Sequence, residues 1–218
     1  MSAVLNPQPL TFGSSASLER SRLARRLRSV LKGTVQFDDF TRGRYATDAS
    51  IYQISPIGVV KPADEEDLSA VIDLAAEMKV PLLSRGAGTS QCGQTVGEAL
   101  VVDFSRHLNR VIAIDPQTRR AEVQPGVVLD HLNAQLRRHG LWFPVDVSTS
   151  AQATLGGMAG NNSCGSRSIA YGNMVHNVLG IEAWLADGAS YRFSALPQNL
   201  GPLDAPQGYR ELVARISA

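Results

Sequence analysis

The chain has 218 residues, of which 44% are hydrophobic and 19% charged, and its formal net charge is +1. That length suits one large domain or two small lobes sharing a core, and the near-neutral charge removes the basic field on which non-specific nucleic-acid binding rests. No apolar run approaches the ~20 residues that span a bilayer. Residues 1–17 are polar, rich in Pro, Ser and Gly, and lack the apolar core of a secretory signal. A cytoplasmic or membrane-peripheral protein is the expectation.

Residues 1–16 read as a disordered lead-in. Ser17 is placed to cap a helix running to about Lys32 and stopped by Gly33. Its cations, Arg20, Arg22, Arg25, Arg26, Arg28 and Lys32, alternate with Leu18, Leu23, Leu27, Val30 and Leu31, as on a solvated amphipathic helix. Residues 34–40 suggest a short strand, and 41–55 show no regular pattern. Gly58 to Val60 reads as a strand, and Asp64 as the cap of a helix with Leu68, Val71, Ile72, Leu74, Ala75 and Met78 on its apolar face. Residues 80–83 are expected to form a buried strand, 84–97 a loop and 100–104 another strand. Residues 110–115 and 119–124 flank Pro116-Gln-Thr118 as a hairpin. Residues 127–139 read as a helix ended by Gly140, and 144–177 as a long polar, glycine-rich stretch. Residues 178–186 and 190–193, around the turn Asp187-Gly188, form a last hairpin, and 209–216 begin a helix. Crossover helices mixed with hairpins point to an α+β fold.

Two cysteines, Cys92 and Cys164, belong to no CxxC pair, and no His stands at a zinc-ligand spacing from either. No metal site is expected, and the pair is expected to be reduced.

Two segments carry chemistry. In Pro81-Leu-Leu-Ser-Arg-Gly-Ala-Gly-Thr-Ser-Gln-Cys-Gly93 a strand leads directly into a glycine-rich turn. Glycine backbones can aim several N–H groups into one concavity, and such a nest binds phosphate oxygens. Thr89 and Ser90 add hydroxyl donors, although a purely structural turn would look similar. The spacing is not that of a Rossmann fingerprint, because the sixth position from Gly86 is Gln91. Nor is it a Walker loop, because Gln94 stands where the phosphate-binding lysine is needed; a nucleotide hydrolase remains the lesser reading. The second segment, Asp146 to Ser166, holds four glycines, Asn161 and Asn162, and six Ser or Thr residues, interleaved with Leu155, Met158 and Ala159. Its small side chains permit close backbone approach to a ligand, and backbone dipoles and neutral amides would do the binding. The alternative is a buried crossover between lobes.

Taken in order, these motifs resemble the FAD-binding domain of the vanillyl-alcohol oxidase / para-cresol methylhydroxylase (PCMH-type) family. Within it, the chain is most similar to the branch of the glycolate oxidases and the D-lactate and D-2-hydroxyglutarate dehydrogenases. The likeness rests on Gly58-Val-Val-Lys-Pro62 with Asp64 to Leu74, on Arg85-Gly-Ala-Gly-Thr-Ser90 with Gly93, and on Ala153-Thr-Leu-Gly-Gly157, Asn161 to Gly165, Tyr171-Gly172 and Val178 to Gly188. It covers about residues 40–193.

The resemblance implies a two-lobed α+β PCMH-type domain, C-terminally truncated. It would comprise an N-terminal helical extension at 17–54, lobe 1 at 55–105 and an incomplete lobe 2 at 106–218. It implies that Gly86, Ala87, Gly88, Thr89, Ser90 and Gly93 contact the FAD diphosphate. Pro144, Ser148, Thr154, Gly156, Gly157, Ala159, Asn161, Gly165, Tyr171 and Gly172 would line the rest of the groove, with Ile181 at the adenine end. Residues 124–127 would sit close by. Ala87 and Cys164 stand where the family commonly has glycine. Thr89 replaces the His through which some relatives attach the flavin, so non-covalent FAD is implied. The family's substrate cap domain is absent from the sequence, and no catalytic base is assigned. The implied reaction oxidises a D-2-hydroxy acid such as D-lactate, glycolate or D-2-hydroxyglutarate. Electrons would pass to a quinone, cytochrome or iron–sulfur partner. A non-catalytic flavin-binding or interaction subunit is the alternative.

Overall fold

The computed structural model describes residues 14–185, 188–195 and 207–217. The expected lead-in therefore lies outside the described residues except at 14–16, which are helical, and Ala186 and Asp187 of the last turn also lie outside. Helix α1, Ser14–Val30, starts ahead of the cap expected at Ser17. Leu23 and Leu27 bury its inner side, while Arg25 and Arg28 are exposed. Arg26 forms a two-pronged pair with Glu77, and Lys32 reaches Asp64 and Glu66. The chain turns at Gly33, where an ideal Cβ would fall 2.1 Å from the Lys61 carbonyl oxygen. Asp67, 2% exposed, accepts from the backbone N–H groups of Lys32, Gly33 and Ala63 at 2.8–2.9 Å. That satisfies a carboxylate which would otherwise be costly to bury.

Strand β1 covers only Thr34–Gln36. The expected strand to residue 40 gives way to a helix, α2, Asp39–Tyr45, capped by Asp38, which accepts from the Thr41 N–H at 2.8 Å. Strand β2, Gly58–Lys61, leads through the Asp64 cap into α3, Glu65–Met78, as the apolar spacing predicts. Strand β3, Leu82–Arg85, and β4, Leu100–Asp103, complete a sheet in the order β1-β2-β4-β3, with β2 and β3 both parallel to β4 and β1 antiparallel to β2. The central strand β4 is buried throughout. Strand β3 is not the buried strand expected at 80–83. It starts later and lies at the sheet edge, with Leu82 38% exposed and only Arg85 buried. Leu68, Val71 and Leu74 of α3 pack with Leu23, Leu27, Val60, Leu100 and Val102 to form one core.

The expected hairpin is β5, Val111–Asp115, with β6, Arg120–Val123. Helix α4, Leu129–Leu136, continues as a 3-10 turn to a left-handed Gly140. The long polar, glycine-rich stretch, to which the sequence pattern assigns no element, contains three helices: α5, Leu155–Gly160, α6, Ser168–Tyr171, and α7, Met174–Asn177. They escaped pattern reading because each is too short to show a helical period, and α5 is in addition rich in glycine, which carries a low helix propensity. Leu155, Met158 and Met174 anchor two of them in a second core with Val127, Leu129, Leu132, Leu136 and Val145. Strands β7, Gly180–Trp184, and β8, Ser190–Ser194, pair antiparallel. Trp184 packs on the first core. Helix α8, Gln207–Ser217, covers the helix expected from 209.

Candidate cofactor site

The first glycine loop leaves β3 at Arg85 and re-enters the sheet at Leu100. Arg85 is 8% exposed and extends beneath the loop. Its Nη1 donates to the Thr95 carbonyl at 3.0 Å and its Nη2 to the Thr47 carbonyl at 2.9 Å. Gly88, at φ +69°, lies so close that a Cβ there would fall 2.2 Å from the Arg85 Nη2. Residues 45–52, from the last residue of α2 onward, brace the loop from outside. The Ala49 N–H donates to the Gly88 carbonyl at 3.1 Å. The Thr95 hydroxyl donates to Asp48 at 2.8 Å. The Tyr52 ring fills the space a Cβ on Gly93 would need. Tyr45 lies against the Arg85 guanidinium, 5.6 Å from ring centroid to Cζ, and its hydroxyl donates to Asp103. Burial, then that hydrogen bond, pushes the Tyr45 phenol well above its ordinary value.

The second loop is organised by α5 and Asp146. The side chain of Asp146 accepts from the Ser166 hydroxyl at 2.8 Å and the Arg167 N–H at 3.1 Å. The Arg167 N–H chiefly holds its carboxyl below the usual carboxylate range. A Cβ on Gly165 would fall 2.1 Å from the Asp146 Oδ1, so only glycine lets these segments meet. Pro144 and Ser148 lie two residues to either side of Asp146 in the chain. Gly156 lies against Pro125, which places residues 124–127 near the loop. Tyr171 stands edge-on to Trp142 at 5.3 Å, and Arg167 lies 5.1 Å from the same ring. Ile169, Tyr171, Val175 and Leu179 are exposed around this end.

The two loops touch. A Cβ on Gly86 would fall 2.1 Å from the Thr154 Oγ1, and Gln94 donates to the Asn161 Oδ1 at 2.6 Å. Of the residues singled out in the sequence, Gly86, Ala87, Gly88, Thr89, Ser90 and Gly93 thus lie on one loop. Thr154, Gly156, Gly157, Ala159 and Asn161 lie on the α5 segment docked against it, while Tyr171 and Gly172 close α6. Ile181 is in β7, and no described contact joins it to either loop. The glycines at 86, 88, 93, 156, 165 and 172 meet protein atoms within 3 Å of an ideal Cβ. Gly86 thereby lets the two loops dock, and the other five let each loop close on its own neighbours. At Gly160 a Cβ would meet nothing within 4 Å and face open space, and at Gly157 it would meet only the Thr154 hydroxyl, tightly, at 3.2 Å; both glycines are exposed. Pattern reading missed Tyr45, Thr47, Asp48, Ala49 and Tyr52, because a polar segment without period carries no signal of what it braces.

A dinucleotide fits this arrangement. Neither 85–95 nor 153–165 contains a carboxylate, so a diphosphate laid across them meets no like charge from these runs. The small, neutral groups of Gly157, Gly160 and Asn161 permit close backbone approach. The family profile for the FAD binding domain matches residues 56–194. The chain belongs to the FAD binding domain family. This FAD binding domain is 40% identical over 172 residues to D-2-hydroxyglutarate dehydrogenase of Pseudomonas putida, covering 78% of the chain and 17% of that protein. It is 35% identical over 162 residues to glycolate oxidase subunit GlcD of Bacillus subtilis, covering 72% of the chain and 34% of that protein. In fold it is similar to p-cresol methylhydroxylase with substrate bound. The TM-score is 0.70 at 21% identity, over 88% of this chain and 38% of that one. The FAD binding domain therefore spans about a third or less of the length of the two curated relatives. Among the described residues no helix is long and apolar enough to cross a membrane, and no cluster of His, Cys, Asp and Glu is suited to a metal. Cys92 and Cys164 are free and exposed.

Proposed function

We propose that this FAD binding domain holds FAD non-covalently, bridging a first lobe at 55–105 and a second at 106–218. In this reading Gly86 to Ser90 and Gly93 carry the diphosphate. Pro144, Ser148, Thr154, Gly156, Gly157, Ala159, Asn161, Gly165, Tyr171 and Gly172 flank the rest of the cofactor, with Ile181 at its adenine end. The observation that carries it is the docking of the two loops at Gly86 and Thr154 and at Gln94 and Asn161. It brings two neutral, small-residue runs into one surface. Bound FAD supplies the two-electron acceptor, and the protein contributes binding and orientation. The names of the relatives support a 2-hydroxy acid as substrate; a non-NAD acceptor and a cytoplasmic or membrane-peripheral location belong to the same proposal. The base that takes the substrate hydroxyl proton is assigned to no residue of this chain.

The chain, mixed with FAD and desalted, should stay yellow, and acid precipitation should release all the flavin into the supernatant. A colourless desalted protein overturns the FAD reading, and flavin retained in the washed pellet overturns non-covalent attachment. Thr89 offers no imidazole to form the link.

A further inference from the structure

Arg85 does more than end a strand. One side chain bridges the Thr95 carbonyl, beyond the glycine loop, and the Thr47 carbonyl, in the segment in front of it, while its own backbone starts the loop. Two further bonds run in parallel, Ala49 N–H to the Gly88 carbonyl and the Thr95 hydroxyl to Asp48. The Tyr45 ring lies against the guanidinium. Two acceptors on different segments suit the planar, two-pronged guanidinium; a single ammonium point charge cannot replace that fork. We infer that Arg85 is a positioning residue for the cofactor, clamping residues 45–49 and Thr95 to the first glycine loop. It thereby sets the spacing of the loop's N–H groups before a ligand arrives. The inference rests on the FAD reading for its consequence but not for its geometry.

The 218-residue chain is compared with Arg85→Lys, which keeps the charge and loses the fork. Leu27→Ala, which opens the fully buried core under α1 away from both loops, is the control for general destabilisation. FAD affinity is read by quenching of flavin fluorescence, and amide exchange at residues 86–95 is read without flavin. Arg85→Lys should weaken FAD binding at least tenfold and speed exchange at 86–95 at least tenfold, with β2 and β4 unchanged. Leu27→Ala, at a temperature where it is folded, should change neither. Unchanged loop exchange in Arg85→Lys, or a loss of affinity matched by Leu27→Ala, overturns the inference. If the parent chain binds no FAD, the functional reading fails, and the exchange comparison still decides the clamp. Should Arg85→Lys not fold, Thr95→Val, which removes only the bond to Asp48, should speed exchange at 86–95 at least threefold; no change there overturns the inference.

Discussion

A methyl group at position 86 would sit 2.1 Å from the Thr154 hydroxyl oxygen, with the Thr154 Cβ at 3.3 Å. Gly86→Ala should therefore cost about 1–3 kcal/mol, the range for overpacking a tight contact, and weaken FAD binding by separating the loops. Adding Thr154→Ala removes the clashing oxygen. The two changes should be strongly non-additive in a double-mutant cycle of unfolding free energies; additive effects would mean that the loops are not docked there. At Asp48, burial pushes the carboxyl up, but hydrogen bonds from Ser50 and Thr95 together outweigh it and hold the group below its ordinary value. The sign follows: the stabilisation is complete above the unfolded pKa of about 3.9 and is lost as pH falls through the lower folded value. Protection of the 86–95 amides should be level from pH 7 to 5 and fall below about 4. In Asp48→Asn the Asp48 share of that acid limb should vanish. At this scale the glycines were legible in the sequence, but their immediate purpose was not. Gly86, Gly156 and Gly165 are singled out in the sequence as ligand contacts, and the fold adds a second demand: a Cβ at each would strike a neighbouring protein atom that only the fold brings near.

Among the elements, α5 joins core to site. Leu155 and Met158 are buried, while Thr154 and Asn161, which bound the same short helix, meet Gly86 and Gln94 of the other loop. Met158→Ala should cost about 2–5 kcal/mol in denaturant unfolding, as large-to-small core changes do, and should also weaken FAD binding. Stability lost with affinity intact would separate the helix from the site. Elements with a long apolar period or a clear cap were readable: α3 behind Asp64, α4 ahead of Gly140 and the β5–β6 hairpin all lie where spacing puts them. Those without a period were not. Helix α2 is seven residues with Gly43 inside it. The apolar run at 80–83 signals burial, yet its strand is an edge, a property set by sheet order and invisible locally.

At the scale of the molecule, two separate cores support the two loops, one beneath β2, β4 and α3 and one around α4, α5 and α7. A ligand bridging both should stabilise them together. FAD at a hundredfold excess over its Kd adds about 2.7 kcal/mol by mass action. For a chain of this size that raises the thermal midpoint by about 5–10 °C. Riboflavin, lacking the diphosphate and adenine, should raise it far less at equal concentration, and an equal rise would mean that the first glycine loop takes no part. The same layout governs how the protein comes to exist. Gly58 pairs with Leu100 and Leu82 with the same Leu100, so β2 and β3 meet on a strand that follows the glycine loop in the chain. Pairings so distant in sequence close slowly, because loop entropy is lost before contact is gained. The nascent chain must therefore expose the parallel edges of β2 and β3 until β4 has been made. The first glycine loop, which joins β3 to β4, has both of its ends fixed in the sheet only once β4 pairs with β3.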